Sequence, residues 1–237
     1  MLLKGKFQNG RSGERTRKLL VVVQYTASMI LLCGTLIVFA QLNYMRRQSL
    51  GVRTDRILVV KFPGPTEGMK IKMEAMRKAI RKLPLVSKVT CSGSVPGEEV
   101  AMFLSNRRTH DALKQNRLYE MLSCDPDYMD AYGLELVAGR GFSEDYGDDV
   151  NKLVINETAA RTLGYTDYES VIGEEISVET IEEPMQVIGV VKDYHQQALN
   201  RNYTPIMLFH KDKIDWIPQR YISIVMKPGD SLELVSQ

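Results

Sequence analysis

The sequence predicts an α+β protein, with one N-terminal transmembrane helix followed by a water-soluble domain of mixed helices and strands. Two observations predict this class. Residues 19–40 form an apolar segment without a charged side chain, and the remaining chain alternates short β-branched runs with segments of helical periodicity. At about 1.5 Å per residue, a helix over the apolar segment is about 33 Å long, which is enough to cross the hydrocarbon core of a bilayer.

Two other interpretations of the apolar segment are weaker. A buried core helix is disfavoured because the segment is long and apolar on every face. Val38 and Ala40 resemble the cleavage site of a signal peptide, but the apolar region exceeds the roughly 7–15 residues that signal peptides contain. We therefore expect a cytoplasmic lead-in over residues 1–18, a transmembrane helix over 19–42 and a folded domain over 43–237.

The charge distribution indicates the orientation of the chain. The lead-in is basic, and the positive-inside rule predicts a cytoplasmic N-terminus with the domain on the opposite side. Tyr44, Arg46 and Arg47 follow the helix and are typical of a segment that contacts membrane lipid. The net charge is +2 and the basic residues are scattered, so no nucleic-acid partner is expected. The basic residues of the lead-in, which Glu14 alone opposes, are Lys4, Lys6, Arg11, Arg15, Arg17 and Lys18.

The first part of the domain has a strand–helix–strand pattern. A β-branched run at 57–62 predicts a strand, and apolar side chains at helical spacing predict an amphipathic helix over 69–83 that ends at Pro84. A second strand in 85–97 then enters a loop of Gly, Ser and Pro. This order predicts a βαβ or split βαβ unit. We expect the basic face of the helix to be solvated, and the loop lacks the GxxxxGK[ST] pattern of a nucleotide site.

The rest of the domain alternates strands with short helices. Residues 98–125 are mixed, and within them residues 107–124 are predicted to be strand-like and partly exposed. Residues 152–165 are predicted to form a strand that enters a helix. Asn156 suits the N-cap of that helix, although it also begins a glycosylation sequon. Further elements are predicted as a short helix and a strand in 128–143 and as strands in 171–180, 183–195 and 221–227.

Neither the acidic segment nor the cysteines indicate a metal or a cofactor. Residues 144–149 lack both the DxDxDG order and the closing glutamate of a calcium loop, so we expect a solvated loop. Cys33 lies within the apolar segment. Cys91 and Cys124 either pair in an oxidising compartment or remain unpaired and buried, and the sequence leaves both options open.

The sequence contains no coherent catalytic pattern. Asp193 and His195 alternate along the end of a predicted strand and would share one face. A carboxylate and a histidine in this arrangement can serve as the orienting group and the general base of a catalytic site. No serine or cysteine stands in a GxSxG elbow to complete a triad. We therefore expect a structural or interface role for this pair, and we expect that the protein is not an enzyme. No catalytic, cofactor-binding or metal-binding residues are assigned.

Several phrases of the sequence together resemble the permease subunits of MacB/FtsX-type ABC transporters, with their MacB-like periplasmic core domain. The segment of residues 3–52, which contains the apolar helix, is similar to the start of the second half of the duplicated permeases that are common in Bacteroidetes. The further phrases are VPG (95–97), AGRGFS (138–143), INETAARTLGY (155–165), VIGEEI (171–176) and VIGVVKDYHQQALN (187–200).

The resemblance implies a bacterial inner-membrane protein whose periplasmic domain has two α/β subdomains, one of βαβ-type units and one inserted into it. It also implies an ABC ATPase subunit on a separate chain, a second permease copy that forms a dimer, and a periplasmic adaptor. The implied function is mechanical: the periplasmic domain relays ATP-driven conformational change for export or envelope remodelling. The family's permeases offer no catalytic residues to transfer.

Other functional classes remain as alternatives. An extracytoplasmic sensor or ligand-binding module anchored by one helix would share the same architecture, and so would a membrane-anchored envelope enzyme. The resembling permeases carry further transmembrane helices after the periplasmic domain, whereas this sequence stops at Gln237. We therefore expect the chain to be a fragment that does not transport by itself.

Overall fold

The computed structural model describes residues 11–47, 50–63, 68–100, 102–112, 115–146, 149–197, 202–213 and 218–228. The chain divides into two compact units, residues 1–48 and residues 49–237. In its described part, the first unit contains one helix, and the second unit is a domain built on a sheet.

Helix α1 spans Arg11–Arg47 and contains the apolar segment. Residues 13–45 are long and apolar enough to cross a membrane, and none of this stretch is buried by the rest of the protein. The hydroxyls of Ser28 and Thr35 donate to carbonyl oxygens one turn earlier, at 2.9 and 2.8 Å, so these polar groups are satisfied within the helix. The helix begins before the apolar segment, so residues 11–18, which we expected to be loose, are helical.

The second unit contains ten strands and three helices among its described residues. The helices are α2 (Met69–Ile80), α3 (Tyr128–Tyr132) and α4 (Glu157–Thr162), with 3₁₀ turns at Asp149–Asn151 and Glu169–Val171. The strands are β1 (Ile57–Lys61), β2 (Val86–Ser92), β3 (Phe103–Arg108), β4 (Arg117–Cys124), β5 (Leu136–Gly139), β6 (Lys152–Asn156), β7 (Glu175–Val178), β8 (Met185–Val191), β9 (Ile206–His210) and β10 (Tyr221–Met226).

Strands β1, β10 and β2 form a split βαβ unit. Strand β10 lies between β1 and β2 and is antiparallel to both, so β1 and β2 run parallel with α2 as their connection. This is one of the two arrangements that the strand–helix–strand pattern predicted. Strand β2 joins the rest of the sheet through a single pair, Ser92 with Cys124 of β4.

Six strands close into a ring in the order β4, β3, β7, β8, β6, β9 and back to β4. Alternate residues of all six point inward and form one apolar cluster. Helix α4 packs Ala159, Ala160 and Leu163 into the same cluster. Since α4 follows directly after β6, it covers the end of the ring at which β6 finishes. Strand β5 pairs with β8 beside this ring.

Two expectations about exposure are wrong in part. The basic face of α2 is not fully solvated, because the helix buries Arg77 together with Met73, whereas Ile71 and Met76 are exposed. The described part of residues 107–124 is partly exposed, as predicted, but β4 is buried from Tyr119 onward because an apolar cluster covers each of its faces.

The acidic segment also differs from the predicted solvated loop. Asp149 is 3% exposed and accepts hydrogen bonds from Arg140 Nη1 and Nη2, at 2.8 and 2.7 Å, and from the Ser143 amide. The Arg140 guanidinium neutralises this carboxylate, which is why it can be buried. Burial opposes the ionised form of Asp149, but Arg140 outweighs it and lowers the pKa of the carboxyl.

Candidate functional site

A short segment after β8 connects several parts of the domain, and we call residues 193–197 the hub. Tyr194 is buried at 1% exposure, and Gln196 and Gln197 are also buried. The hub has no regular secondary structure, so it is the contacts of its side chains and amides that hold it in place. Those contacts reach the start of the domain, α4, the loop after β2, and β4.

The first contact of the hub is with the entry segment, residues 50–56, which follows α1 in the chain. The His195 amide donates to the Leu50 carbonyl at 2.8 Å. Gly51 has a φ of +77°, and a Cβ there would lie 3.3 Å from the Asp193 carbonyl oxygen and from Tyr194. The close approach and the left-handed conformation both favour glycine at this position.

The entry segment is also fixed on its other sides. The Arg53 amide donates to the Tyr132 carbonyl at the end of α3, at 2.7 Å. The Arg56 carbonyl accepts from the Met226 amide at 2.9 Å, which joins the entry segment to the end of β10. Val52 packs against the apolar cluster that contains Tyr194. The domain therefore holds the segment that follows the apolar helix by backbone hydrogen bonds to three different elements.

The second contact of the hub is with α4. The Asp193 carboxylate accepts from the Thr158 amide and hydroxyl, both at 2.8 Å, and from Arg161 Nη2 at 2.5 Å. In return, the Asp193 amide donates to Glu157 Oε2 at 3.0 Å. Carboxylates at this end of a helix satisfy its free amide groups and interact favourably with its dipole.

Asn156 also caps α4, as the sequence predicted. Its Oδ1 accepts from the Ala159 amide and from the Ile206 amide, each at 2.9 Å, and its Nδ2 donates to the Thr204 carbonyl at 2.8 Å. The side chain is 1% exposed. A buried amide with all of these partners is not accessible to a glycosyltransferase, so the cap interpretation is the correct one.

The third contact of the hub is with the loop after β2. Gln196 Nε2 donates to Ser94 Oγ, to the Val95 carbonyl and to the Glu98 carbonyl, at 3.2, 2.8 and 3.1 Å. The Gly97 amide donates back to the Gln196 carbonyl at 2.8 Å. The loop of Gly, Ser and Pro after β2 is therefore folded around the Gln196 side chain.

The fourth contact reaches β4, where Gln197 Nε2 donates to the buried Glu120 carboxylate at 2.7 Å.

The sequence phrases that resemble the permease family meet around residues 187–197. Besides the contacts of Asp193 and Gln196, the Arg140 amide donates to the Ile188 carbonyl at 2.9 Å and the Gly173 amide to the Val187 carbonyl at 2.8 Å.

A separate buried charge cluster fixes α2 on the sheet. Arg77 lies 3.4 Å from Asp125 and 3.1 Å from Asp127, with Glu74 also at 3.4 Å. Asp125 is fully buried, and it accepts from the Thr90 hydroxyl at 2.5 Å and the Cys91 amide at 2.8 Å. The cluster links the helix of the split βαβ unit to β2 and to the end of β4.

The pKa values of Asp125 and Arg77 are both raised, but for different reasons. For Asp125, desolvation dominates and raises the pKa to about 6, although Thr90, Cys91 and Arg77 favour the ionised form. For Arg77, desolvation is opposed by several carboxylates, and the pKa is raised above its usual value. The two pKa directions agree physically because Arg77 faces four carboxylates, those of Asp125, Asp127, Glu74 and Glu144, whereas Asp125 faces one guanidinium.

Asp193 and His195, the pair considered as an orienting group and a general base, have separate contacts in the structure. Asp193 is engaged with α4, while the His195 ring lies against Tyr203 with ring centroids 4.5 Å apart. Cys91 and Cys124 are both free and buried. Burial raises the pKa of Cys91 to about 12, so this thiol is unreactive. Within the described residues, no group of three or more His, Cys, Asp or Glu side chains could hold a metal ion.

Sequence reasoning missed Gln196, Gln197 and the Arg77–Asp125 pair. The two glutamines lie in a phrase that resembles the permease family, but nothing in the local sequence reveals their contacts, because the partners lie 77 to 102 residues away in the chain. Arg77 had a detectable signal, since Met69, Met73, Arg77 and Ile80 follow helical spacing on one face. The strand β9 was also missed, although its run of apolar residues is typical of a fully buried strand.

Comparisons with known proteins agree with this architecture. The family model of the MacB-like periplasmic core domain matches residues 26–237. No curated relative matches the sequence significantly.

Three solved structures share the fold. The periplasmic region of MacB from Actinobacillus actinomycetemcomitans has a TM-score of 0.53 and 16% identity, covering 78% of this chain and 81% of that one. A domain of a protein described as a permease from Porphyromonas gingivalis has a TM-score of 0.50 and 22% identity, covering 76% and 79%. The extracellular domain of the ABC-type transporter YknZ from Gram-positive bacteria has a TM-score of 0.51 and 16% identity, covering 76% and 87%.

A helix that is long and apolar enough to cross a membrane is followed in the chain by this sheet domain. The family match extends over most of the chain, and the chain belongs to the family of the MacB-like periplasmic core domain. It carries the MacB-like periplasmic domain of an ABC-type transporter permease.

Proposed function

We propose that the chain acts in a permease subunit whose periplasmic domain relays ATP-driven conformational change, for export or for envelope remodelling. The family match supports this assignment. The observation that carries it is the fixation of the entry segment. The residues that follow the apolar helix are hydrogen-bonded to the hub, to α3 and to β10, so that they form one body with the domain.

The relay would pass from the entry segment to the hub and from there to three elements. Mechanical coupling between distant parts of a protein needs a contiguous network of packed and hydrogen-bonded groups. Asp193, Gln196 and Gln197 extend such a network to α4, to the loop after β2 and to β4. A displacement of the entry segment would therefore move the sheet domain as a whole.

The partners and the placement in the envelope are also part of the proposal. An ABC ATPase on a separate chain would supply the energy, a second permease copy would form a dimer, and a periplasmic adaptor would extend the assembly. The basic residues before the apolar segment support a cytoplasmic N-terminus, with residues 43–237 in the periplasm and 19–42 in the inner membrane.

The two subdomains would correspond to the two parts of the sheet. The split βαβ unit with α2 would be one, and the ring of six strands with α4 the other. The single pair Ser92–Cys124 between β2 and β4 supports this division, because few backbone hydrogen bonds would have to change if the two parts moved.

The experiment that tests the assignment is purification of the full gene product from its native membrane in mild detergent, with mass spectrometry of the proteins that accompany it. We expect an ABC ATPase at a near-stoichiometric amount. Recovery of a histidine kinase or a response regulator instead, under conditions that keep other transporters intact, would contradict the permease assignment and favour a sensor.

A further inference from the structure

A small polar cavity lies at the end of the six-strand ring that α4 covers. Its volume is about 220 Å³, and it is lined by the β3–β4 hairpin and by the end of α4, from Thr162 to Gly164. The mouths of β-barrels are frequent ligand sites. The volume lies below the range of about 300–1,000 Å³ that drug-sized ligands occupy, so the cavity suits a small molecule.

The strand register places three polar side chains on the cavity side of the hairpin. Asn106 of β3 pairs directly with Arg117 of β4, and Leu104 pairs with Tyr119. Since directly paired residues share a face, Asn106, Arg117 and Tyr119 point to the same side. That side is the interior of the ring, because Asn106 Nδ2 reaches the sulfur atoms of Met121 and Met207 at 3.5 and 3.3 Å.

Two of these side chains carry buried polar atoms without a partner. Asn106 is 0% exposed and Tyr119 is 1% exposed. Neither Asn106 Oδ1 nor the Tyr119 hydroxyl has a hydrogen-bond partner among the described residues. Buried polar atoms of folded proteins are nearly always bonded, so these two call for a group that the protein itself does not provide.

The charges around the cavity favour an anion. Arg108 is neutralised by Asp111, with two bonds of 2.9 and 2.8 Å, and Arg107 donates to three backbone carbonyls. Arg117 has no ion pair with any described side chain, so its guanidinium is available for a ligand. Burial also raises the pKa of Tyr119 above its usual value, so its hydroxyl stays protonated and able to donate.

We propose that this cavity binds a small anion that carries a carboxylate or a phosphate group. The Arg117 guanidinium would hold the charged group, since its planar fork matches both of these anions. The Tyr119 hydroxyl would donate to an oxygen of the same ligand, and the Asn106 carbonyl would accept from a ligand hydroxyl or amine. The proposal goes beyond the relay function and does not rest on it.

The test uses the full chain in detergent, titrated by calorimetry with inorganic phosphate, with acetate and with glycerol, at constant ionic strength. We expect saturable binding of at least one anion and none of glycerol, and the preferred anion identifies the ligand class. Arg117→Gln should weaken this binding at least tenfold, because a charged hydrogen bond is lost. Arg81→Gln removes an exposed arginine that lies after α2 and should leave the affinity unchanged.

A third variant addresses the buried groups. Tyr119→Phe retains the ring and should weaken binding about threefold to tenfold. If this variant does not fold, Asn106→Asp replaces it, since the added negative charge should abolish anion binding. Absence of saturable binding by either anion would overturn the proposal and show that the cavity holds only water. Equal effects of Arg117→Gln and Arg81→Gln would overturn it as well.

Discussion

At the scale of single residues, Asp125 is a fully buried carboxyl whose ionisation the fold opposes. Its pKa rises from the usual 3.8 to about 6, mainly through desolvation. A carboxyl with a raised pKa binds its proton more tightly in the folded state than in the unfolded state. It therefore adds stability at low pH, and this contribution is lost as the pH rises from about 4 to about 6.

The free energy of unfolding should show this loss. Over that range, Asp125 should lower it by up to about 3 kcal/mol, the equivalent of about two pKa units. Asp125→Asn should flatten the pH profile between pH 4 and 6, and Asp55→Asn, a change at an exposed aspartate, should leave the profile unchanged. Urea unfolding of the full chain at several pH values measures both, and parallel profiles of wild type and Asp125→Asn would refute the assignment.

Asn156 allows a second prediction at this scale. Asn156→Ala leaves two buried amides and one partly buried carbonyl without their partner, so we expect a loss of about 2–4 kcal/mol. Asp167 makes a similar but exposed bond to the Glu169 amide, and Asp167→Ala should cost about 0.5 kcal/mol. Thermal and urea unfolding compare the two variants, and equal losses would show that the cap is not structural.

At the scale of elements, the close pairing of β5 with β8 depends on glycine. Gly139 has a φ of +65°, and a Cβ there would collide with the Ile188 carbonyl oxygen and crowd the Ile172 side chain. Gly164 also has a positive φ, of +97°, but no atom lies within 4 Å of the corresponding Cβ position. The two glycines differ in surroundings and share the same kind of backbone constraint.

Alanine substitutions separate these two effects. Gly139→Ala should destabilise the domain by about 3 kcal/mol or more, since backbone must move as well as adopt a strained conformation. Gly164→Ala should cost only about 1–2 kcal/mol, which is the conformational term alone. If the two variants have equal m-values in urea, the difference between their unfolding midpoints measures the free-energy cost of crowding at Gly139. A larger loss of stability for Gly164→Ala than for Gly139→Ala would be inconsistent with the β5–β8 geometry.

The individual elements were largely predictable from hydrophobic periodicity, whereas their pairing was not. The apolar helix, β1, α2, β2, β6 with α4, and β10 follow local patterns that reflect burial of one face. The closed ring depends on pairs such as Glu120 with Ile206, which lie far apart in the sequence and leave no local signal. The burial of Arg77 had a local signal in the helical spacing of α2, but its partners Asp125 and Asp127 come from another part of the chain and leave none.

At the scale of the whole molecule, the entry segment and the hub join the part of the chain that follows the apolar helix to the rest of the domain. Gly51 lies at this contact, with its Cβ position 3.3 Å from Asp193 and Tyr194. Gly51→Val should push the entry segment away from the hub and weaken the coupling. Gly164→Val places the same side chain at another positive-φ position in open space and serves as the matched control.

The most direct test of the relay is a distance measurement during ATP turnover. A spin label at Lys72→Cys, in a Cys33→Ser background, reports the distance between the domains of the two permease copies in the proposed dimer, while the buried Cys91 and Cys124 remain unlabelled. In proteoliposomes that contain the ATPase, we predict a distance distribution that shifts with ATP in wild type and Gly164→Val but little in Gly51→Val. An identical distribution with and without ATP turnover in the wild-type protein would contradict the account.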